Sequence, residues 1–490
     1  MKTFPSHLPA VATTEGLLRS GSARSITRLA LPPEGGSLLR IFDWACKLSE
    51  EAVQERMVEL RAHFATRRET MEASWAGHHA KISAHSDGDL FLSDERKLYI
   101  GSLFSKEFPF ECTALRNPCL CLHPDQSGLA SGSIRFLLAM DALGKDRTSS
   151  MIFREGVIDN DYTIHLSPAA SQPCAPEPVT NPTMRRSMIF RHLHELGFDN
   201  AWTRNLMQSL RDEFSRSDLL AAIETAAGPT RADSPDSKIS IECLRWLAEV
   251  NYELTFDPGS NLSDRVLLPT GPSGKGGLHQ GRFTRSVDEG QVTYLATCTA
   301  CNSYRDLPLL LESTDLVHFS VTLLGGAASR SKGMVLFPGK IKDRHAALCG
   351  RGNESIYIMF SENPAVWEIA TLLKEPVEPW ETLGITVCGA PMETYAGWLV
   401  LYRGRGEMNR EVIGGMLLDR DDPGKVLGHL KQPLIEAPVA GNQGVACCSL
   451  QSFGAIVHRE RLLVAYTSDE EEIVISQFDL GALLDALQAE

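Results

Sequence analysis

The sequence predicts a mainly β fold, a five-bladed β-propeller carrying a helical N-terminal region and a helical insertion. Three observations lead there. Beyond Phe256, short apolar runs alternate with polar turns nearly to the end of the chain. A unit of two strands and a turn holding Asp, Asn or Ser recurs about every fifty residues, the scale of a four-stranded blade. Two other stretches place apolar residues at intervals of three and four, the spacing of one helix face. A β-sandwich is the rival, but it has no reason to repeat such a unit.

In chain order, residues 1–95 form the helical N-terminal region, with the clearest periodicity in IFDWACKLSEEAVQERMVELRAHFATRRETMEASW (41–75). Residues 96–160 form the first blade, through the apolar runs LYIGSLF (98–104), RFLLAM (135–140) and SSMIFREG (149–156). Residues 161–253 combine a Pro/Ser/Ala-rich linker (165–183) with the helical insertion, where Ser215-Arg-Ser-Asp218 reads as a helix start. Residues 254–490 supply the remaining blades: YLATCTAC with LPLLLES, SIYIMF, WLVLYRG with IGGMLLDR, and LLVAYTS with EIVISQF.

Composition narrows the function. The 490 residues are 43% apolar and 22% charged, ordinary for a folded core. With 48 Lys and Arg against 62 Asp and Glu the net charge is −14, which argues against nucleic acid or an anionic membrane as partner. No run approaches the roughly eighteen apolar residues of a membrane span, and MKTFPSHLPAVATTEGLL lacks a leader's apolar core, so a cytoplasmic protein is expected. The twelve cysteines are irregularly spaced. Cys298-Thr-Ala-Cys301 has metal or redox spacing but no second pair or spaced His pair to complete four ligands. Period-two reading puts Cys298 inside a strand. Buried strand cysteines are therefore expected there, with no metal; Cys447 and Cys448 are a second, adjacent pair.

Several stretches from about Lys97 onward resemble glycoside hydrolase family 130, the mannoside phosphorylases and related β-mannosidases, and in particular its long members with helical additions. They are Arg116-Asn-Pro118, His123-Pro-Asp-Gln-Ser-Gly128, Ser149–Arg154, Lys332–Pro338, Cys388–Thr394, Gly397–Val400 and Leu418–Pro423, in the family's order and spacing. The resemblance implies a sugar pocket on the propeller axis and cleavage of β-mannosidic bonds with inversion by phosphate or water. It implies no cofactor, inorganic phosphate being a co-substrate. An oligosaccharide or glycoside is the implied partner, with self-association through the helical N-terminal region as a further expectation.

Cleavage needs an acid for the departing oxygen and cations for the incoming phosphate. The family's Gly-Val-Glu-Asp-x-Arg-Phe aligns with Gly277-Leu-His-Gln-Gly-Arg-Phe283, which puts His279 at the Glu position and Gln280 at that of the acid. Gln cannot give up a proton. His279 could, but strand alternation points it away from Gln280. Asp125 and Asp141 are the candidate replacement acids, Asp141 standing where the long members have Arg. The resemblance assigns phosphate to Arg154 and Lys332, and sugar to Asn117, Arg282 and Glu393; Arg403 of Tyr-Arg-Gly, where the family usually has Thr-His-Gly, is a further candidate for the sugar. Each has a plainer reading as a strand end, a turn cap or a surface charge. Trp398 is expected in the core. Val387 and Cys448 also depart from the family's pattern. Two functions follow: a glycosidase or glycoside phosphorylase with an altered acid, or a catalytically inactive propeller that binds a sugar or a partner protein.

Overall fold

The computed structural model describes residues 8–21, 24–32, 35–83, 91–169, 173–231, 235–268, 277–301, 306–352, 354–436, 449–468 and 472–488. The chain divides into two compact units. One comprises Met1–Ser22, Glu111–Ala170 and Cys174–Glu490; the other comprises Ala23–Phe110 with Ser171–Pro173.

The smaller unit is a helical bundle with one strand pair. Its helices are Gly35–Cys46, Glu50–His63, Arg68–Ser83 and Asp94–Leu103, and they enclose Phe42, Val53, Met57, Trp75, Ile100 and Phe104. Strand Ser25–Leu29 runs antiparallel to Ser105–Pro109. The apolar run 98–104, expected as a strand, is instead largely the helix Asp94–Leu103. Its start is fixed locally, since Ser93 Oγ accepts the Arg96 N–H at 3.2 Å and Asp94 and Glu95 fill the first turn. A short apolar run fits either period, and here the cap and the packing decide. Gly101 is wedged against Trp75, where a Cβ would come within 1.9 Å of the carbonyl oxygen.

The larger unit is mainly β. Twenty of its described strands form five four-stranded antiparallel meanders, and shorter strands such as Tyr252–Thr255, which pairs with His318–Leu323, add to them. The first is Ala114–Leu122, Ile134–Leu143, Ser149–Ile158 and Ile164–Leu166. The second is Gly277–Asp288, Gln291–Cys301, Asp306–Ser313 and His318–Leu323. The third is Lys332–Leu336, His345–Arg351, Ser355–Ser361 and Ala370–Lys374. The fourth is Gly384–Val387, Gly397–Arg405, Glu411–Leu418 and Val426–His429. The fifth is Ala455–His458, Arg461–Ser468 and Glu472–Asp479, completed by Ala12–Arg19 from the other end of the chain. That N-terminal strand lies inside the stretch expected to be helical. Its alternating small and polar residues (ATTEGLLR) pair with Glu472–Gln477 rather than coil.

Two cross-links matter for the site. A parallel bridge joins Gly277 to Ser149, tying the second meander to the first. Gly277 has φ +104°, and a Cβ there would meet the Ser149 oxygen at 2.2 Å. Another parallel bridge joins Cys119 to Gly454, and the Phe453 N–H donates to the Pro118 carbonyl at 2.8 Å. The first meander therefore touches the last as well as the second.

The insertion forms the helices Arg186–Glu195, Ala201–Ser209, Arg216–Arg231 and Pro235–Val250. Its predicted start at Ser215 is present as a reciprocal cap: the Asp218 N–H donates to Ser215 Oγ and the Ser215 N–H to Asp218 Oδ2. Leu244, Leu247 and Val250 pack in one core with Leu254, Phe319 and Val321 of the neighbouring strands. Cys298 and Trp398 are buried in strands, as their spacing requires. Cys447 and Cys448 lie outside the described residues. No helix among the described residues is long and apolar enough to cross a membrane.

Candidate functional site

A cavity of about 1200 Å³ opens in the larger unit. Strands of the first four meanders reach it, together with Gln451 and Phe453 and the insertion helices. It gathers Asn117, Asp141, His279, Gln280, Arg282 and Arg403, six residues scattered over nearly three hundred positions of sequence.

Two bulges shape its centre. Strand register breaks between Arg116 and Cys119 and again between His279 and Arg282. At these points Asn117 and Gln280 adopt φ of +55° and +60°, left-handed conformations that cost energy in any residue but glycine. The second bulge corrects one expectation. Alternation separates His279 from Gln280, but the extra residue breaks the alternation, and both line the cavity.

Asp141 ties the two bulges together. It lies on Ile134–Leu143, paired with Arg116, and is 3% exposed. Its Oδ2 accepts the Asn117 side-chain N–H at 2.7 Å and the Gln280 backbone N–H at 2.6 Å. Its Oδ1 is enclosed and has no hydrogen-bond partner among the described residues. Burial pushes the carboxyl's pKa up; the Asn117 side chain, the Gln280 N–H, the nearby His279 and the Gly281 N–H oppose this without cancelling it. The neutral acid is thereby favoured over its usual range.

The cationic side of the cavity holds Arg282 and Arg403. Arg282 is 4% exposed, with its guanidinium carbon 3.6 Å from the centre of the Phe453 ring. Gly333 leaves it room, since a Cβ there would sit 3.3 Å from Nη2. Burial, and then the like charge of Arg403, bring the Arg282 pKa down to about 10, so it remains a cation at neutral pH. Its Nε has no partner among the described residues. Arg403 is anchored to Glu411 at 3.2 Å. Two guanidiniums close enough to repel each other, one of them desolvated, make a place for an anion.

Other sequence candidates lie elsewhere. Arg154 does not line the cavity; it is 2% exposed, ion-paired with Glu111 and donating to the Phe153 and Ser263 carbonyls. Its charge is consumed inside the fold. Glu393 is on the surface, paired with Arg420. Asp125 is also on the surface, paired with Arg135 at 3.0 Å; hydrogen bonds from Ser127 hold its pKa down, the wrong direction for an acid at neutral pH. The side chain of Lys332 lies outside the described residues.

Sequence reasoning missed the wall made by the insertion. His192, Glu195, Phe198, Ile239, Glu242 and Trp246 all face the cavity. Glu195 is held by the Gly326 N–H at 2.7 Å. Helical periodicity marks an apolar face but not what it docks against, so no local signal could have found them. Cys298 and Cys301 also line the cavity, and burial raises both thiols, Cys301 to about 12. Among the described residues no cluster of His, Cys, Asp and Glu could hold a metal ion.

Comparison with known proteins places these features in context. No family model matches the sequence. A β-1,2-mannobiose phosphorylase of Listeria innocua is 31% identical over 231 residues, 44% of this chain and 61% of that protein. A 1,2-β-oligomannan phosphorylase of a Thermoanaerobacter species is 33% identical over 107 residues, 22% of this chain and 36% of its own length. The chain thus spans less than two thirds of either relative. Among solved structures, the Listeria innocua β-1,2-mannobiose phosphorylase in complex with β-1,2-mannobiose aligns with 78% of this chain and 94% of its own, at 19% identity and a TM-score of 0.44.

Proposed function

The chain is related to the mannoside phosphorylases of glycoside hydrolase family 130, and from that relationship we propose a five-bladed β-propeller enzyme that splits a β-mannosidic bond with inorganic phosphate. The observation that carries this reading is the pair Arg282 and Arg403, converging on the cavity that also holds a buried carboxyl. A desolvated cation costs stability unless an anion is to be met there. Arg282 offers a ring-backed guanidinium with no ion-pair partner among the described residues, suited to a phosphate dianion; Arg403, held by Glu411, supplies further N–H donors. Asn117, Thr297, Thr386 and the Gln280 amide line the same space and suit sugar hydroxyls. Five antiparallel meanders, the Ala12–Arg19 strand completing the last, and the Cys119–Gly454 bridge between last and first support the propeller.

The second reading, a sugar-binding protein without turnover, is favoured by one observation. Gln280 presents a neutral, exposed side chain to the cavity at the position of the family's acid. The test is incubation with β-1,2-mannobiose and inorganic phosphate, followed by assay for mannose 1-phosphate and for reverse synthesis. Release of sugar phosphate, with Arg403→Ala raising the phosphate KM about tenfold or more, supports the enzyme. Calorimetric binding of the disaccharide with no product in either direction leaves the binding protein.

A further inference from the structure

We propose that Asp141 is the general acid of this site, protonating the departing glycosidic oxygen in place of the carboxyl that position 280 lacks. The inference rests on the glycosyl-transfer reading above and adds the residue that reading leaves unnamed.

Geometry carries it. The backbone N–H of Gln280 donates to Asp141 Oδ2 at 2.6 Å, so the Asp141 carboxyl sits directly against position 280, reached from a different strand. Oδ2 is committed to two N–H donors, one from Gln280 and one from Asn117. An oxygen that accepts two donors has little affinity for a proton, which therefore rests on Oδ1. The Gly281 N–H also approaches the carboxyl, but within hydrogen-bonding distance and angle Oδ1 has no partner among the described residues, and Asp141 lines the cavity. Oδ1 lies just beneath the cavity lining, so the acceptor for that proton is a ligand atom that reaches it from the cavity.

The surroundings suit an acid. Five titratable groups adjoin Asp141, one of them Arg116, its direct cross-strand neighbour on Ala114–Leu122, which also lines the cavity. His279 and Arg282 lie on Gly277–Asp288, Cys119 on Ala114–Leu122 and Cys298 on Gln291–Cys301. Both thiols are raised by burial and stay neutral. The His279 charge favours ionisation, yet burial outweighs it and the carboxyl's pKa lies above its ordinary value. Asn117 and Gln280 hold the group from strained bulges, and strain maintained at two non-glycine positions around one carboxyl marks a site kept for positioning.

In the step itself, the bond between the anomeric carbon and the glycosidic oxygen breaks, and its electron pair stays on the oxygen. That oxygen takes the proton from Asp141 Oδ1. A phosphate oxygen held by Arg282 and Arg403 forms the new bond to the anomeric carbon on the opposite face, and Asp141 is left as a carboxylate for solvent to reprotonate.

The test compares two leaving groups at saturating phosphate: β-1,2-mannobiose, which needs a proton, and 2,4-dinitrophenyl β-mannoside, which does not. Asp141→Asn is expected to lower kcat on the disaccharide by about 10²–10⁴-fold and to change it only a few-fold on the dinitrophenyl glycoside. The wild-type rate should fall as the pH rises with the disaccharide alone, a readout that stands even if the variant does not fold. Equal losses on both substrates, or the same decline with rising pH on both, would make Asp141 a positioning residue and overturn the proposal. Full activity of Asp141→Asn on the disaccharide would overturn it too. If His279→Gln instead shows the leaving-group split, the acid is His279. Wild-type protein that turns over neither substrate would refute the enzymatic reading itself, and Asp141 as acid with it.

Discussion

Two buried carboxyls in the larger unit are built to opposite ends. Glu381 is fully enclosed, and both of its oxygens are used: Oε1 accepts the Tyr402 hydroxyl at 2.6 Å, and Oε2 meets Lys374 Nζ at 3.0 Å and the Val377 N–H at 2.7 Å. Burial would raise its pKa, but Tyr402, the Val377 amide and Lys374 together hold it below the ordinary value. Asp141 is also buried, but its hydrogen bonds come from the Asn117 side chain and the Gln280 N–H, both on Oδ2, while Oδ1 lacks a partner of hydrogen-bonding geometry among the described residues; its pKa goes up. A carboxyl that serves the fold is satisfied by the fold. One that serves a ligand is left incomplete, and the protein bears the cost.

The comparison can be broken most severely at Glu381. Glu381→Gln strands the buried Lys374 charge and should cost about 3–5 kcal/mol, read from denaturant unfolding at pH 7. Because the folded pKa of Glu381 is lowered, its contribution is present above the unfolded value and lost as the pH falls through the folded one. The gap between wild type and variant should therefore shrink on acidification. A constant gap from pH 7 to pH 3 would separate the cluster's stability from its charge.

Asp141 should behave in the opposite sense. Its folded pKa is raised, so its contribution is present below the unfolded value and lost as the pH rises through the folded one. Asp141→Asn should leave stability unchanged or raise it by about 1 kcal/mol at pH 7, and this advantage should fade toward pH 4. A large destabilisation at pH 7 would place Asp141 with Glu381 as a structural group. The smallest effect concerns the strain around it. Gln280→Gly keeps the N–H that Asp141 accepts and relieves a left-handed φ, and should stabilise the fold by about 1 kcal/mol. A loss of stability would mean that the Gln280 side chain holds the bulge open.

Much of this was legible in sequence for reasons that are local. Strand pairs repeat because each meander buries its own alternating face; Ser215 and Asp218 cap a helix through neighbours three residues apart. The departure at position 280 was visible because a neutral amide there changes the chemistry whatever the fold does. Sequence misread Leu98–Phe104, where a short apolar run fits both periods and Ser93 decides for helix. It misassigned Arg154, since a cation cannot show in sequence whether its partner is Glu111 or a phosphate. It split His279 from Gln280, because a bulge changes side-chain direction without leaving a signature in the residues themselves.

Read alone, the residues specify a mainly β chain with helical additions, a resemblance to mannoside phosphorylases, and an amide at position 280 where that resemblance expects a carboxyl. Which carboxyl stands beside that position follows from the packing of the chain. Asp141 reaches it from a strand more than a hundred residues away, through a contact between two bulges. Burial, a missing partner and a raised pKa are properties of the space around a group, and that space is made by parts of the chain that are distant in sequence.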